Sequence, residues 1–427
     1  MKSILLFFLA LLPLSWAEAQ DINAATDSTA TDSSEEQADS SEEQADSLIT
    51  ELAVADSLPW PLNIQMRVTE LLHDPMFETS QVGLMVYDLT ADSMLIGHQQ
   101  RQLLRPASTM KLLTAITAID RLGGSYQFRT SLYYKGIISD HTLRGDLYCV
   151  GGMDPRFNSD DMRAFVESLR RMGVDTIRGR IVADRSMKDT LSFGEGWCWD
   201  DDNPVLSPLL ISKKDRFVDR FIDELLDDGI TIDTISLARG MLPADASLVC
   251  SRTHTIDQVL TRMMKESDNL YAEAMLYQIA ASSAHRPARI TDAKFYMKQL
   301  IRRLGLNPEH YRLADGSGLS LYNYLSAELE TLLLRYAWQN QHIQLYLLPS
   351  LPVAGEDGTL KKRMRGPFTS GNVRAKTGTL TGITSLAGYC TAANGHELCF
   401  AIINQGELSN SKARRFQDCV CLALCQP

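Results

Sequence analysis

The sequence predicts an α/β fold in which a central antiparallel sheet is flanked by helices and interrupted by a mainly β inserted domain. Two strand-like segments, 81–89 and 93–98, precede a long helical segment that starts after Pro106. Short strand-like runs occupy 126–250, and helices, a strand pair and a last helix follow. This order predicts one antiparallel sheet with the two ends of the folded body packed together.

The first elements follow from apolar periodicity. Residues 61–74 have apolar positions at helical spacing, and 81–89 and 93–98 have the pattern of a strand and its hairpin partner. The next segment is apolar at helical spacing, with Pro106 near its first turn and Gly123-Gly124 after its end. We assign residues 59–125 to the first part of the main domain.

Residues 126–250 differ in character from the segments on either side. Their short strand-like runs are separated by turn residues, and one helical segment, 161–173, interrupts them. We interpret this region as an inserted domain. Residues 251–427 are the second part of the main domain, with several helical segments and the strands ITSLAGYC and ELCFAIIN, joined by a predicted Asn394-Gly395 hairpin.

The residues before this body are predicted to lie outside the fold. Residues 1–19 have the positive start, apolar run and small-residue site of a secretory signal, with cleavage after Ala19; a short buried or amphipathic helix is the alternative. Residues 20–58 carry 11 acidic and no basic side chains, which predicts a disordered acidic spacer.

The charge of the chain is concentrated in that spacer. The chain has 42 Lys and Arg against 53 Asp and Glu, and the spacer accounts for the whole acidic excess. The folded body is therefore near neutral, which argues against a nucleic-acid partner. No later segment is long and apolar enough for a membrane span. The secretory signal predicts an exported, periplasmic protein.

The eight cysteines leave two interpretations open. Cys390 and Cys399 fall opposite each other when residues are counted outward from an Asn394-Gly395 turn, which predicts a disulfide bond. Buried free thiols are the alternative. The cysteine spacings do not resemble a zinc site, and we expect no metal and no cofactor.

Three short motifs carry the chemistry of the sequence. They are Ser108-Thr109-Met110-Lys111, Ser267-Asp268-Asn269 and Lys376-Thr377-Gly378, in this order. Each motif alone is weak evidence for a catalytic site, because a second S-x-x-K occurs at 409–412 and a second S-x-N at 370–372. The context separates them: the first motif opens a long apolar helix, the second lies between two helical runs, and the third precedes the last strand pair.

These residue types suit nucleophilic catalysis by a serine. A serine hydroxyl needs a base, and a lysine whose pKa is lowered by burial and a nearby cation can serve. Lys111, one helical turn from Ser108, is the candidate base, and Lys376 is the candidate cation. Ser267 is the natural proton relay to the leaving group, and Asn269 can orient Lys111 and donate to a substrate carbonyl.

The third motif supplies binding groups. Lys376 and Thr377 can hold a substrate carboxylate by charge-assisted hydrogen bonds. The backbone N–H groups of Ser108 and Thr379 are the candidate oxyanion hole. No G-x-S-x-G motif is present and no histidine lies within a few residues of Ser108, which argues against a Ser-His-Asp hydrolase.

With these three motifs, the sequence resembles the D-alanyl-D-alanine carboxypeptidase/endopeptidases of the penicillin-binding protein 4 type. The resemblance covers most of residues 78–410 and extends beyond the three motifs. The similar segments are RPASTMKLLTA (105–115), LRGDLYCVGGMDP (143–155), GWCWDD (196–201), SDNLYAEAM (267–275), ADGSGLS (314–320), LPVAGEDGTLKKRM (351–364) and VRAKTGTLTG (373–382).

The resemblance implies a transpeptidase-like domain with the fold of the serine β-lactamases. It implies cleavage of D-Ala-D-Ala in peptidoglycan stem peptides through an acyl-enzyme, with β-lactams as covalent inhibitors. The implied catalytic residues are Ser108, Lys111, Ser267, Asn269 and Lys376, and the implied substrate-binding residues are Thr377, Gly378 and Thr379. Asp184, in the insert, is either a ligand for a substrate ammonium group or a surface residue.

Three rival functions remain to be weighed. A β-lactamase with S-D-N carries an E-x-x-N between S-D-N and K-T-G, and residues 270–375 contain none. A non-catalytic wall-binding protein would have lost a motif residue, and all five are intact. An esterase using S-x-x-K would lack the carboxylate-binding lysine, whereas Lys376 is present.

Overall fold

The computed structural model describes residues 58–198, 203–233 and 236–427. The predicted secretory signal and almost all of the predicted spacer therefore lie outside the described residues. Within those ranges, no helix has the length and apolarity needed to cross a membrane.

The described elements form two sheets and ten α-helices. The strands are β1 (Gln81–Asp88), β2 (Ser93–His98), β3 (Gln127–Ser139), β4 (Thr142–Val150), β5 (Thr176–Arg178), β6 (Arg180–Asp184), β7 (Thr231–Ile232), β8 (Ser236–Arg239), β9 (Ser247–Thr255), β10 (Arg374–Leu380), β11 (Ile383–Thr391) and β12 (Glu397–Gln405). The helices are α1 (Leu62–Leu71), α2 (Met110–Leu122), α3 (Ser159–Arg171), α4 (Phe217–Asp227), α5 (Ile256–Lys265), α6 (Asn269–Ala281), α7 (Ile290–Arg303), α8 (Ala327–Gln339), α9 (Gln341–Ser350) and α10 (Asn410–Cys425).

The first sheet has five antiparallel strands in the order β10-β11-β12-β1-β2. Strand β1 pairs with β12, with Leu84 opposite Ile402, so the beginning and end of the body share one sheet as predicted. Strand β10, which carries the K-T-G motif, lies at the edge. An edge strand has free backbone groups that can pair with an extended peptide.

The predicted Cys390–Cys399 disulfide is wrong. Cys390 is opposite Leu398 and Cys399 is opposite Tyr389, and both thiols are free and buried. The hairpin loop has three residues rather than two, because Ala392 N–H donates to the carbonyl of His396 at 2.9 Å. Gly395 has φ 84°, the left-handed conformation that such loops require. One extra loop residue shifts the register and separates the two thiols.

The second sheet has seven strands, β3 to β9, from the region predicted to be inserted. It is a mixed sheet, because β3 pairs antiparallel with β4 and β9, whereas β4 pairs parallel with β5 and β6. Helices α3 and α4 supply apolar side chains to a core of its own. Helix α3 was predicted and α4 was not. The parallel pairings need these helices, because parallel strands require crossover connections.

Helix α2 lies in the centre of the molecule. Every residue from Met110 to Ile119 is buried, in a core built mainly from α2 and helices α5 to α8. A helix that is apolar on all sides is stable only when it is enclosed. The enclosure explains how Lys111, at the second position of α2, is carried into the interior.

Candidate active site

The first motif sits on a tight turn before α2. Ala107–Thr109 form a 3-10 turn, and Ala107 has φ 49°, a strained value for a residue with a side chain. A Cβ at Gly318 would lie 1.8 Å from the carbonyl oxygen of Ala107, so only glycine permits this approach. The turn leaves Ser108 partly exposed at the end of a buried helix.

Lys111 is fully buried and hydrogen-bonded to the nucleophile. Its Nζ lies 2.9 Å from Ser108 Oγ, 2.8 Å from Asn269 Oδ1 and 2.7 Å from the carbonyl oxygen of Ser317. All three partners are neutral. Burial lowers the pKa of Lys111 to about 8, although the charges of Asp315, Glu273 and Asp268 act to raise it.

Lys376 is the second buried lysine of the cluster. Its Nζ donates to Ser267 Oγ at 2.9 Å and to the carbonyl oxygen of Thr377 at 2.7 Å. Burial, and then the charge of Lys111, lower its pKa well below the ordinary value. Ser267 has φ 57° in the turn between α5 and α6, where Asp268 caps α6 by accepting from Leu270 N–H. The structure therefore brings all three motifs together.

The K-T-G glycine is required by close packing against the nucleophile turn. A Cβ at Gly378 would lie 2.1 Å from Ser385 Oγ and 2.9 Å from the backbone nitrogen of Ser108. Strand β10 thus runs directly beside Ser108. Thr379, the next residue, is exposed, and Thr377 Oγ1 donates to Thr359 Oγ1 at 2.8 Å.

Two buried carboxyl groups beside the cluster were not singled out from the sequence. Glu273 Oε1 accepts from the N–H groups of Gly316 and Ser317 at 2.9 and 2.8 Å, which fixes the carbonyl that binds Lys111. Burial raises the pKa of Glu273 to about 8. The sequence does contain a signal for this contact: Glu273 lies four residues after Asn269, so the two side chains are on the same face of α6.

Glu330 is the second carboxyl group, and it contacts Thr109, the residue that follows Ser108. Its Oε1 lies 2.6 Å from Thr109 Oγ1, and Thr109 Oγ1 also donates to the carbonyl of Pro106 at 2.7 Å. Burial raises the pKa of Glu330 to about 8, so the neutral acid predominates at pH 7. Helix α8 thereby supports the turn that presents Ser108. Nothing local in the sequence indicates this contact.

Asp315 holds the neighbouring loop in place. Its carboxylate accepts from the N–H groups of Gly318 and Ser320, from Asn323 Nδ2 and, at 2.8 Å, from Trp197 Nε1. Trp197 belongs to the region predicted to be inserted. Trp197, from the similar segment 196–201, therefore contacts the similar segment 314–320 through Asp315.

Asp184 is not brought to this cluster. Its side chain is 3% exposed, and its two carboxylate oxygens accept from the N–H groups of Ser186 and Leu242 at 2.9 and 2.6 Å. Both interpretations made from the sequence, a ligand for ammonium and a surface residue, require an exposed carboxylate. The structure instead gives Asp184 a structural role at the end of β6.

The site offers no group of metal ligands. Among the residues that the structure describes, no three His, Cys, Asp or Glu side chains are placed to hold an ion. The chemistry that the arrangement can perform is that of a serine hydroxyl, two buried lysines and a pair of backbone N–H groups.

The model of the D-Ala-D-Ala carboxypeptidase 3 (S13) family matches residues 64–212 and 210–424. The chain belongs to this family. It is a serine-type D-Ala-D-Ala carboxypeptidase. The match begins in α1 and ends in α10, so it covers both sheets and all three motifs.

Two D-alanyl-D-alanine carboxypeptidases are similar to this chain over most of their length. A D-alanyl-D-alanine carboxypeptidase from Actinomadura sp. is 28% identical over 84% of this chain and 84% of its own. D-alanyl-D-alanine carboxypeptidase DacB from Haemophilus influenzae is 25% identical over 82% of this chain and 90% of its own.

Solved structures show the same fold. The crystal structure of penicillin binding protein 4 from Haemophilus influenzae superimposes with a TM-score of 0.76 and 23% identity, covering 83% of this chain and 98% of its own. A complex of that protein with a β-lactam gives a TM-score of 0.72 and 24% identity, covering 84% and 99%. The α/β architecture with an antiparallel sheet and flanking helices is therefore that of penicillin binding protein 4.

Proposed function

We propose that this carboxypeptidase acts on peptidoglycan stem peptides ending in D-Ala-D-Ala, through an acyl-enzyme on Ser108, and that β-lactams capture the same serine. The observation that carries the proposal is the 2.9 Å contact between Lys111 Nζ and Ser108 Oγ, made by a buried lysine whose partners are all neutral. Such a lysine loses its proton readily and can accept one from the serine.

Substrate binding prepares the base. The terminal carboxylate lies against Lys376 and Thr377 and favours the charged form of Lys376. That charge disfavours a second charge on Lys111, so Lys111 becomes the neutral amine. The backbone N–H groups of Ser108 and Thr379 receive the carbonyl oxygen, and Gly378 keeps that hole open.

Acylation follows from this arrangement. Ser108 Oγ attacks the carbonyl carbon of the penultimate D-Ala while Lys111 takes its proton. The C–N bond then breaks, and the departing amine of the terminal D-Ala takes a proton from Ser267. Lys376, hydrogen-bonded to Ser267 at 2.9 Å, replaces that proton.

Deacylation restores the starting protonation states. Water attacks the ester carbonyl and its proton passes through Ser267 to Lys376, while Lys111 returns its proton to Ser108 Oγ. The products are the shortened peptide acid and free enzyme. Asn269 accepts from Lys111 at 2.8 Å throughout, which leaves its amide N–H groups for the carbonyl of the substrate.

The location and domain organisation are part of the proposal. The signal-like residues 1–19 support export to the periplasm, and residues 20–58 would act as an acidic spacer between the cleavage site and the body. The separate core and sheet of the second region support residues 126–250 as an inserted domain between the two parts of the main domain, 59–125 and 251–427.

The experiment is intact-mass spectrometry of the mature chain after incubation with benzylpenicillin, with Ser108→Ala as the matched variant. A stable adduct on the unaltered protein alone supports the proposal. Consumption of penicillin without an adduct would indicate a β-lactamase. An adduct on Ser108→Ala would place the nucleophile elsewhere and contradict the assignment.

A further inference from the structure

A basic cavity adjoins strand β10 on the side away from the two buried lysines. It has a volume of about 570 Å³, and the described residues that line it include four cationic side chains and one carboxylate. These side chains are Lys362, Arg363, Arg414, Arg415 and Asp418. The mechanism described above uses none of them.

The carboxylate of the cavity pairs with Arg363. Asp418 Oδ1 lies 2.7 Å from Arg363 Nη2, which pairs these two side chains. Within the described ranges, neither Lys362 nor Arg414 forms a salt bridge; Arg414 Nη2 instead donates to Thr379 Oγ1 at 3.2 Å. The wall of the cavity therefore has an excess of positive charge beside the K-T-G strand, which favours an anionic ligand.

The cavity is continuous with the proposed substrate site. Successive side chains of a strand point to opposite faces, so Lys376 points into the buried cluster whereas Thr377 and Thr379 line the cavity. Thr377 is also the proposed ligand of the terminal carboxylate, and its Oγ1 contacts Thr359 Oγ1 at 2.8 Å. Groups of the substrate beyond that carboxylate therefore lead into the cavity.

A single D-Ala leaving group does not account for this charge. It has one carboxylate, which Lys376 and Thr377 already receive in the proposed mechanism. When the scissile bond is instead a cross-link between stems, the leaving group is a whole peptide with further carboxylates. We infer that the cavity is a leaving-group subsite for such a second carboxylate, held by Lys362 and Arg414, and that it gives the enzyme a preference for cross-linked stem peptides.

This inference rests on the proposed function and specifies its substrate. The test compares two substrates with the same acyl half: a pentapeptide that releases D-Ala, and a cross-linked dimer that releases a stem peptide. A third substrate, the dimer with the carboxylates of its leaving stem amidated, removes the proposed ligand while keeping its shape.

The variants are Lys362→Gln and Arg414→Gln in the full mature chain. Lys361→Gln and Arg365→Gln are matched controls, because these exposed neighbours lie outside the lining of the cavity. We expect each test variant to lower kcat/KM for the acidic dimer about three- to fivefold, the effect of one exposed charge contact. The ratio of dimer to pentapeptide hydrolysis should fall with it, and the amidated dimer should show no such change.

Each other outcome overturns the inference. Equal losses on dimer and pentapeptide would mean that these side chains support β10 rather than bind a leaving group. Equal effects of the control variants would mean a general charge effect. Acylation by benzylpenicillin is measured for every protein, so that failure of the proposed function can be told from failure of the subsite. If the unaltered chain is not acylated, the proposed function is contradicted. If acylation is normal and the ratio of dimer to pentapeptide hydrolysis is unchanged in the variants, only the subsite is contradicted.

Discussion

Buried charged side chains have opposite surroundings in the two sheets of the molecule. In the second sheet region Asp184 accepts from two backbone N–H groups, and Asp161 pairs with Arg252 at 2.8 Å. Beside the first sheet, Lys111 and Lys376 are buried against neutral oxygens only. The first arrangement stabilises the fold, whereas the second leaves charges poorly compensated and moves their pKa values toward neutrality.

The difference shows where this protein carries out chemistry. A buried group with satisfied partners resists any change of its protonation state. A buried lysine without a counter-charge exchanges its proton near neutral pH, and the strained backbone of Ala107 and Ser267 lies beside these lysines. Reactive groups and conformational strain thus occur together around α2, and the following predictions test that contrast.

The largest effect is expected for Lys111→Gln. Glutamine keeps a donor toward Ser317 but provides no base, so acylation by benzylpenicillin should slow by about 10²- to 10⁴-fold. The free energy of unfolding should not fall, because an uncompensated buried ammonium does not stabilise the fold. Intact-mass time courses and urea unfolding measure the two quantities.

Lys188→Gln is the matched control for this variant. Lys188 is also buried, but it lies 3.2 Å from the carboxylate of Asp189 and over the ring of Tyr277. We expect reduced stability and an unchanged rate of acylation. The distinction between a catalytic Lys111 and a structural Lys188 is contradicted if Lys111→Gln is acylated at the normal rate, or if Lys188→Gln slows acylation without loss of stability.

The pH dependence of acylation should follow Lys111. Below its pKa of about 8 the ammonium donates all three protons and has no lone pair for the proton of Ser108. The second-order rate constant for acylation reports the free enzyme, so it should rise about tenfold per pH unit up to that value and level off above it. A second-order rate constant that stays unchanged between pH 6 and 8, with unfolding curves that show a folded protein, would rule out Lys111 as the base.

Asp184→Ala should affect stability alone. The substitution leaves the N–H groups of Ser186 and Leu242 without acceptors, which costs about 2–3 kcal/mol in the free energy of unfolding. Asp184→Asn, which keeps one acceptor oxygen, should lose less. Peptide hydrolysis per folded molecule should not change. An increased KM at full stability would show instead that Asp184 binds substrate.

The smallest effect is expected for Glu273→Gln. The amide oxygen still accepts from Gly316 and Ser317. Because the pKa values of Glu273 and Lys111 are both about 8, part of Glu273 is ionised where Lys111 titrates, and the substitution removes that partial negative charge, which raises the pKa of Lys111. The midpoint of the pH–rate profile should therefore shift to lower pH. Glu330→Gln is the control, because this equally buried acid contacts Thr109 and is not among the charges that act on Lys111. A shift in the control, or a shift upward, would contradict the assignment.

Much of the fold was predictable because its signals are local. The strands β1 and β2, helix α2 with Gly123 at its end, and the break between α5 and α6 all follow from periodicity and end signals. Helix α4 and the parallel pairings of the second sheet were not predicted. The exact register of the β11–β12 hairpin was also missed, because a one-residue change of loop length leaves the apolar pattern almost unchanged.

The sequence by itself determined which groups are available and in what order: Ser108 with Lys111 one turn later, Ser267 with Asn269 at a helix start, and Lys376 before the last strands. These depend on neighbours in the chain. Only the tertiary structure decided that both lysines are buried with neutral hydrogen-bond partners. It also decided that Glu273 holds the loop that contacts Lys111 and that Glu330 holds the turn that presents Ser108. Burial and electrostatic surroundings come from residues more than a hundred positions apart, and no local pattern contains them.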